Sequence, residues 1–318
     1  MDRASALETS VKHRSMASRC AASLVLLCGC SSIAAADVRA VVSTGLGGTP
    51  EYAERFDADA QGIAAALSSL SADPDAVQRL EEPGRDELVA AIEAAAAEPG
   101  SLFVLVLIGH GTTDARGWRF NLPGLDLDDA SLVAALANAS AARQLVVVAS
   151  SASGALLPSL SQPGRLLVTA TKSGAELNAV RFGEYFARAL GDGAADLDRN
   201  EIVTLAEAWR YTSAEVSAWY EGENLLASEH PRLTGEGADT LALARLGALA
   251  GAADDPVVAA LLARREALET EFSQLRGEKP GMGIADYYGA LEELLVRIAR
   301  LQIELDEATG REDTDAES

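Results

Sequence analysis

Two short stretches place reactive side chains where an apolar run gives way to glycine. LIGHGTT, residues 107–113, carries His110 between two glycines, at the end of the hydrophobic run LFVLVLIG (102–109). An imidazole there can serve as general base or acid, and the flanking glycines let a substrate backbone come close. VVVASSASG, residues 146–154, carries Ser150 and Ser151 at the end of a second apolar run, before a small-residue turn. A serine hydroxyl attacks a carbonyl efficiently only when a base contacts it and a third group orients that base. Asp114 stands four residues beyond His110 and is one candidate orienter, although an aspartate so placed is more often a turn residue.

A third stretch, DLDRNEIVTLAE (196–207), has oxygen donors at the spacing of a calcium loop. Loops of the EF-hand type take ligands from positions 1, 3, 5, 7 (a backbone carbonyl), 9 and a bidentate glutamate at 12. Asp196, Asp198, Asn200, Ile202, Thr204 and Glu207 fill those places. Glu201 stands where glycine is wanted for the sharp turn, so it is expected to adopt a positive φ at a cost of about 1 kcal/mol or more. The competing reading is an acidic helix start, in which Asp or Asn caps the helix that carries Glu207 and Trp209.

The elements that must hold these residues follow from hydrophobic pattern. VRAVVST (38–44) reads as a first buried strand, and GLGG after it as a tight connection rather than a nucleotide loop, since no Lys-Ser/Thr follows. Helical spacing covers 52–70 and 85–97. An apolar stretch at 76–80 lies between them. LFVLVLIG, QLVVVAS (144–150) and RLLVTATKSG (165–174) read as strands, with helices over 127–139 and 180–190. Trp118 and Phe120 read as packing elements of a hairpin. Strands that are apolar on both faces and alternate with helices argue for a parallel α/β sheet covered by helices, whose reactive groups gather at the carboxyl edge. The composition shifts beyond Leu190: polar loops surround a helix reaching about Tyr220, and SEHPRLTGEG (228–237) reads as loop. Two long helices, 256–276 and 284–308, carry heptad-like apolar seams, the first interrupted by Arg265. The short GEKPGMG between them favours an antiparallel hairpin.

His110-Gly111 on one strand tip and Ser151 followed by Ser153-Gly154 on the next resemble the legumain-like, caspase-clan cysteine peptidases. The resemblance covers residues 38 to about 190. It implies that His110 falls on the general base, Ser151 on the nucleophilic cysteine and Gly111 on a backbone donor to the oxyanion. It also implies a caspase-like, parallel-rich sheet flanked by helices. Serine in place of cysteine changes the chemistry, because a thiolate beside an imidazolium attacks without giving up a proton in the transition state and a hydroxyl cannot. The expectation is a catalytically silent peptidase relative that binds peptide or protein segments. The alternative is an active peptide hydrolase working through a Ser151–His110 dyad and an acyl-enzyme.

Composition bounds the rest. The chain has 318 residues, 48% hydrophobic and 23% charged, the balance of a core-forming protein. Its formal net charge of −22 repels phosphate backbones, so nucleic acid is not an expected partner, and it favours cations such as Ca2+. All three cysteines, Cys20, Cys28 and Cys30, lie in an N-terminal segment with basic residues ahead of AASLVLLCGC. That segment reads as a leader (1–36) of an exported, periplasmic or secreted protein, cut after Ala36 or lipid-anchored at Cys30. Without those cysteines, the remaining His110 and His230 are too few for a His/Cys zinc site. The expected organisation is leader, α/β domain (37–190), acidic loop with helices (191–250), and a helical hairpin with an acidic tail (251–318). The hairpin is also a surface for homo- or hetero-association.

Overall fold

Uninterrupted apolar runs build the middle of the molecule, because only a strand covered on both faces can bury every side chain. A computed structural model describes residues 38–310 apart from 72, 74, 138, 253 and 254. In chain order it runs β1 (Val38–Thr44), α1 (Pro50–Ser68), β2 (Val77–Leu80), α2 (Arg85–Ala96) and β3 (Leu102–Gly109). A small antiparallel ribbon follows, β4 (Gly111–Asp114), β5 (Gly117–Phe120) and β6 (Leu127–Asp128), then α3 (Asp129–Leu136). Next come β7 (Arg143–Ser150), the single turn α4 (Leu157–Leu160), β8 (Arg165–Thr169) and α5 (Phe182–Gly191).

The main sheet has the order β2-β1-β3-β7-β8 in parallel, with one further strand antiparallel at the β8 edge. Alternate residues of the same strands feed two cores. Val104, Val106 and Ile108 pack with Phe56, Ile63, Phe182 and Phe186 of α1 and α5. Phe103, Leu105 and Leu107 pack on the other face with Leu88, Ile92, Leu132 and the ribbon's Trp118 and Phe120. The architecture is therefore a mixed α/β fold, helices on both sides of a mostly parallel sheet, as the pattern of apolar runs predicts. The Trp118/Phe120 pair packs in the ribbon hairpin, its rings stacked with centroids 6.2 Å apart.

The second half continues with β9 (Ile202–Thr204), α6 (Leu205–Gly222), β10 (Arg232–Thr234), β11 (Ala242–Arg245), α7 (Gly247–Gly251), α8 (Pro256–Glu278) and α9 (Ile284–Thr309). SEHPRLTGEG, which reads as loop in the sequence, is not all loop, because β10 lies inside it as the antiparallel edge strand of the main sheet. Its residues are polar because an edge strand needs no second buried neighbour. The hairpin of α8 and α9 forms as expected, with Val258, Leu261 and Leu268 against Leu294, Leu301 and Leu305. Arg264–Glu304 at 2.8 Å and Arg297–Glu271 at 2.9 Å cross the seam. Arg265, which interrupts the apolar seam, is buried and bonds Glu269 and Gln302.

No helix among the described residues is long and apolar enough to cross a membrane. The segment read as a leader, with Cys20, Cys28 and Cys30, lies outside the described residues, as do residues 311–318.

Candidate functional site at the strand tips

β3 and β7 are neighbours in parallel register, Gly109 opposite Ser150, so both tips open on the same carboxyl edge. The structure thereby brings His110, Gly111 and Ser151 together. Gly111 is needed for that approach. A Cβ built on it would lie 2.4 Å from the Ser151 carbonyl oxygen and 2.9 Å from Ser150 Oγ, closer than any side chain tolerates. Behind Ser151, Ala152 takes a left-handed conformation (φ 57°, ψ 8°) and starts a 3-10 turn at Ser153–Leu156. A strained non-glycine residue immediately after a candidate nucleophile turns the chain sharply at the strand end.

The two hydroxyls there are both engaged. Ser151 Oγ donates to the Asn178 carbonyl at 2.8 Å, and Ser150 Oγ donates to the Ser151 carbonyl at 3.3 Å. Around them, the loop between β8 and α5 is fastened to the turn. Ala152 N donates to the Glu176 carbonyl at 2.7 Å, Gly154 N donates to Thr171 Oγ1 at 2.8 Å, and Ser151 is itself 2% exposed.

His110 is held from the other side. Its Nε2 lies 3.2 Å from the Gly47 carbonyl oxygen, so Nε2 carries the proton and Nδ1 is the basic nitrogen. Tyr52 and Phe56, one helical turn apart on α1, contact the ring edge-on at 4.7 and 5.2 Å. Burial among these rings lowers the His110 pKa, and the Gly47 carbonyl opposes that while the Arg55 charge adds to it. The ring is therefore a neutral imidazole at neutral pH. Among the described residues no hydrogen bond joins Ser151 to His110. Asp114 does not orient the imidazole: it sits at the far end of β4, takes both Arg119 guanidinium nitrogens at 3.1 and 2.8 Å, and is a turn residue.

Several contributors were not readable in the sequence. Gly47 and Asn178 act through backbone oxygens, which residue type does not reveal. Glu176, 9% exposed, bonds the Lys172 amide and His230 Nδ1, and it steadies the loop carrying Asn178. Glu229, 3% exposed, accepts from the Arg181 and Phe182 amides at 2.9 and 2.8 Å, closing the amino end of α5. Burial raises its pKa to about 7 against the pull of those amides and of Arg181.

In the acidic loop, the carboxylates of Asp196, Asp198 and Glu207 offer oxygens all within 4.8 Å of one another. Glu201 has φ 62°, as its place at the turn requires. Ile202 and Thr204 are the ends of β9, which pairs with β11. Hydrogen bonds within the loop hold its shape: Asp196 also accepts from the Asn200 and Glu201 amides, and Asn200 Oδ1 accepts from the Ile202 amide. The helix start is capped by Thr204, not by an Asp or Asn, in a reciprocal box with Glu207. Asp198 is exposed as a residue, yet partial desolvation first and the Glu207 charge second push its carboxyl up to about 6.

No protein-family model matches this sequence, and no curated protein matches it. Solved structures similar in shape include two caspases. The Drosophila initiator caspase Dronc has a TM-score of 0.41 and 12% identity, over 65% of this chain and 82% of that one. Caspase-1 from Spodoptera frugiperda has a TM-score of 0.41 and 10% identity, over 63% of this chain and 88% of that one. Likenesses this weak carry no weight alone, so the architecture stands on its strand order and register.

Proposed function

We propose that the chain is an exported, catalytically silent relative of the caspase-like, legumain-like peptidases, with Ser151 in place of the nucleophilic cysteine. In this reading it binds peptide or protein segments at the β3 and β7 tips. One observation carries it: the Ser151 hydroxyl is committed to the Asn178 carbonyl and the His110 ring to Gly47, so nucleophile and base are not engaged with each other. Exposed Leu46 and Leu177, each one residue from a carbonyl that holds the site, offer apolar contacts to a bound segment. A second contact surface, for another copy or a partner protein, is proposed on α9, where Tyr288 and Leu295 are exposed.

A serine-reactive fluorophosphonate tests the silent reading. The expected result is no labelling of Ser151. Labelling that disappears in His110→Ala would instead establish an active hydrolase, with Ser151 as nucleophile and His110 as base. That second reading is favoured by one feature: the Gly47 carbonyl fixes the imidazole tautomer, the role an orienting acid plays in a triad.

Calcium belongs to the proposal as a stabiliser. Asp196, Asp198 and Glu207 fit a hard dication in donor type and charge, and would hold it with the Ile202 carbonyl. The ion would supply positive charge where three carboxylates repel one another. Millimolar calcium is expected to raise the melting temperature, since a ligand of the native state must do so.

A further inference from the structure

At the opposite end of the sheet, a cavity of about 80 Å3 lies between the strand beginnings and α8, and the site above makes no use of it. Its walls are apolar where Leu70, Leu102, Leu241 and Leu262 face it. Three guanidinium groups also reach it. Arg143 has Glu266 at 3.5 Å and Arg265 has Glu269 at 2.7 Å. Arg245 differs: its hydrogen bond runs from Nη1 to the Ser69 carbonyl at 3.3 Å, and among the described residues no carboxylate pairs with it. Burial depresses its pKa, and the Glu266 charge counters only part of that.

A guanidinium carries five N–H donors, and a partly buried one without a counter-ion is costly. In a chain of net charge −22, a cation left facing an apolar hollow is a specific arrangement rather than part of a general basic surface. About 10–15 Å3 of such volume holds one water, so the hollow takes about five to eight. That room suits a carboxylate with a short alkyl tail.

We propose that this cavity binds a short aliphatic monocarboxylate, its carboxylate paired with Arg245 and its alkyl end against Leu241 and Leu262. Carboxylate and guanidinium match as a two-point fork, the strong form of charge-assisted hydrogen bond. Because Ile202 of the acidic loop and α8 both contribute walls, an occupant tightens the junction of sheet, loop and hairpin.

Calorimetric titration of the full chain at constant ionic strength tests this with butyrate, neutral butyramide and sulfate. Butyrate is expected to bind, and the other two are not. Arg245→Met and Leu262→Phe, which fills the apolar end and leaves Arg245 in place, are each expected to weaken butyrate binding about tenfold or more. No heat with butyrate overturns the proposal. So does equal binding of sulfate, which would mark a bare anion site, or of butyramide, which would mark a merely apolar one. Should Arg245→Met not fold, Leu262→Phe decides alone: undiminished affinity there overturns the proposal as well.

Discussion

The Ser151 hydroxyl donates a hydrogen bond to the Asn178 carbonyl 2.8 Å away, which makes the side chain of the candidate nucleophile a structural tie. Ser151→Ala loses that bond, which water at the exposed Asn178 replaces in part, and is expected to cost about 0.5–1 kcal/mol in denaturant unfolding. Ser151→Cys supplies a thiol, a weaker donor that holds Asn178 less firmly and can ionise beside an imidazole. The thiol variant is expected to gain measurable cleavage of unstructured peptides, abolished by His110→Ala. A Ser151→Cys protein that alkylates normally yet cleaves nothing would place the obstacle in the surrounding site.

Gly111 touches the same centre from the neighbouring strand. An alanine methyl there would meet the Ser151 carbonyl oxygen at 2.4 Å, and both partners are backbone at adjacent strand tips, so neither can swing aside. Gly111→Ala is expected to destabilise by about 1–3 kcal/mol, the range for overpacking, and to weaken segment binding by parting the tips. A melting curve that matches the parent's would mean that the edge is softer than its geometry implies.

The sequence revealed the strands and the reacting edge because these depend on apolar runs and glycine placement, which are local. His110 and Ser151 stand at the ends of the two most apolar runs, and parallel pairing of those runs is enough to bring them together. Glu201 was legible too: its position in the loop demanded a positive φ, and it has one of 62°. What stayed hidden depends on contacts distant in the chain. The Gly47 carbonyl reaches His110 across 63 residues, and Glu229 reaches the Phe182 amide across 47. β10 was missed because an edge strand needs no apolar alternation on a second face, so SEHPRLTGEG carries none.

In the acidic loop, the like charges of Glu207 and Asp196 join desolvation in raising the Asp198 carboxyl to about 6, so at pH 7 the ionised form is held at a cost. Removing that charge and adding calcium relieve the same repulsion. Asp198→Asn is therefore expected to melt slightly higher than the parent without calcium and to lose the calcium-induced rise. Scanning fluorimetry with calcium or a chelator reads both effects. An unchanged calcium response in the variant would show that the ion stabilises the protein elsewhere.

Asp59 on α1 is 7% exposed, and its Oδ2 would lie 3.1 Å from a Cβ at Gly183 in the first turn of α5. Burial raises its pKa to about 7, with Arg55 opposing and Glu184 adding to the rise. A carboxyl raised in the native chain keeps its proton where the unfolded chain has lost it. The stability it contributes is thus present below the ordinary carboxylate range and is lost as pH rises from about 4 to 7. His110, lowered in the native chain, works in the opposite sense just below 6.5, so the parent's own pH profile mixes the two. Comparing the parent with Asp59→Asn isolates the carboxyl. The variant's advantage is expected to grow between pH 5 and pH 8, reaching a few kcal/mol at most, since a one-unit shift is worth about 1.4 kcal/mol. Glu229→Gln loses one of two amide bonds and should start below the parent at pH 5, with the deficit narrowing toward pH 8. Denaturant unfolding at the two pH values measures each difference, and a gap independent of pH would mean that these carboxyls titrate normally in the folded chain.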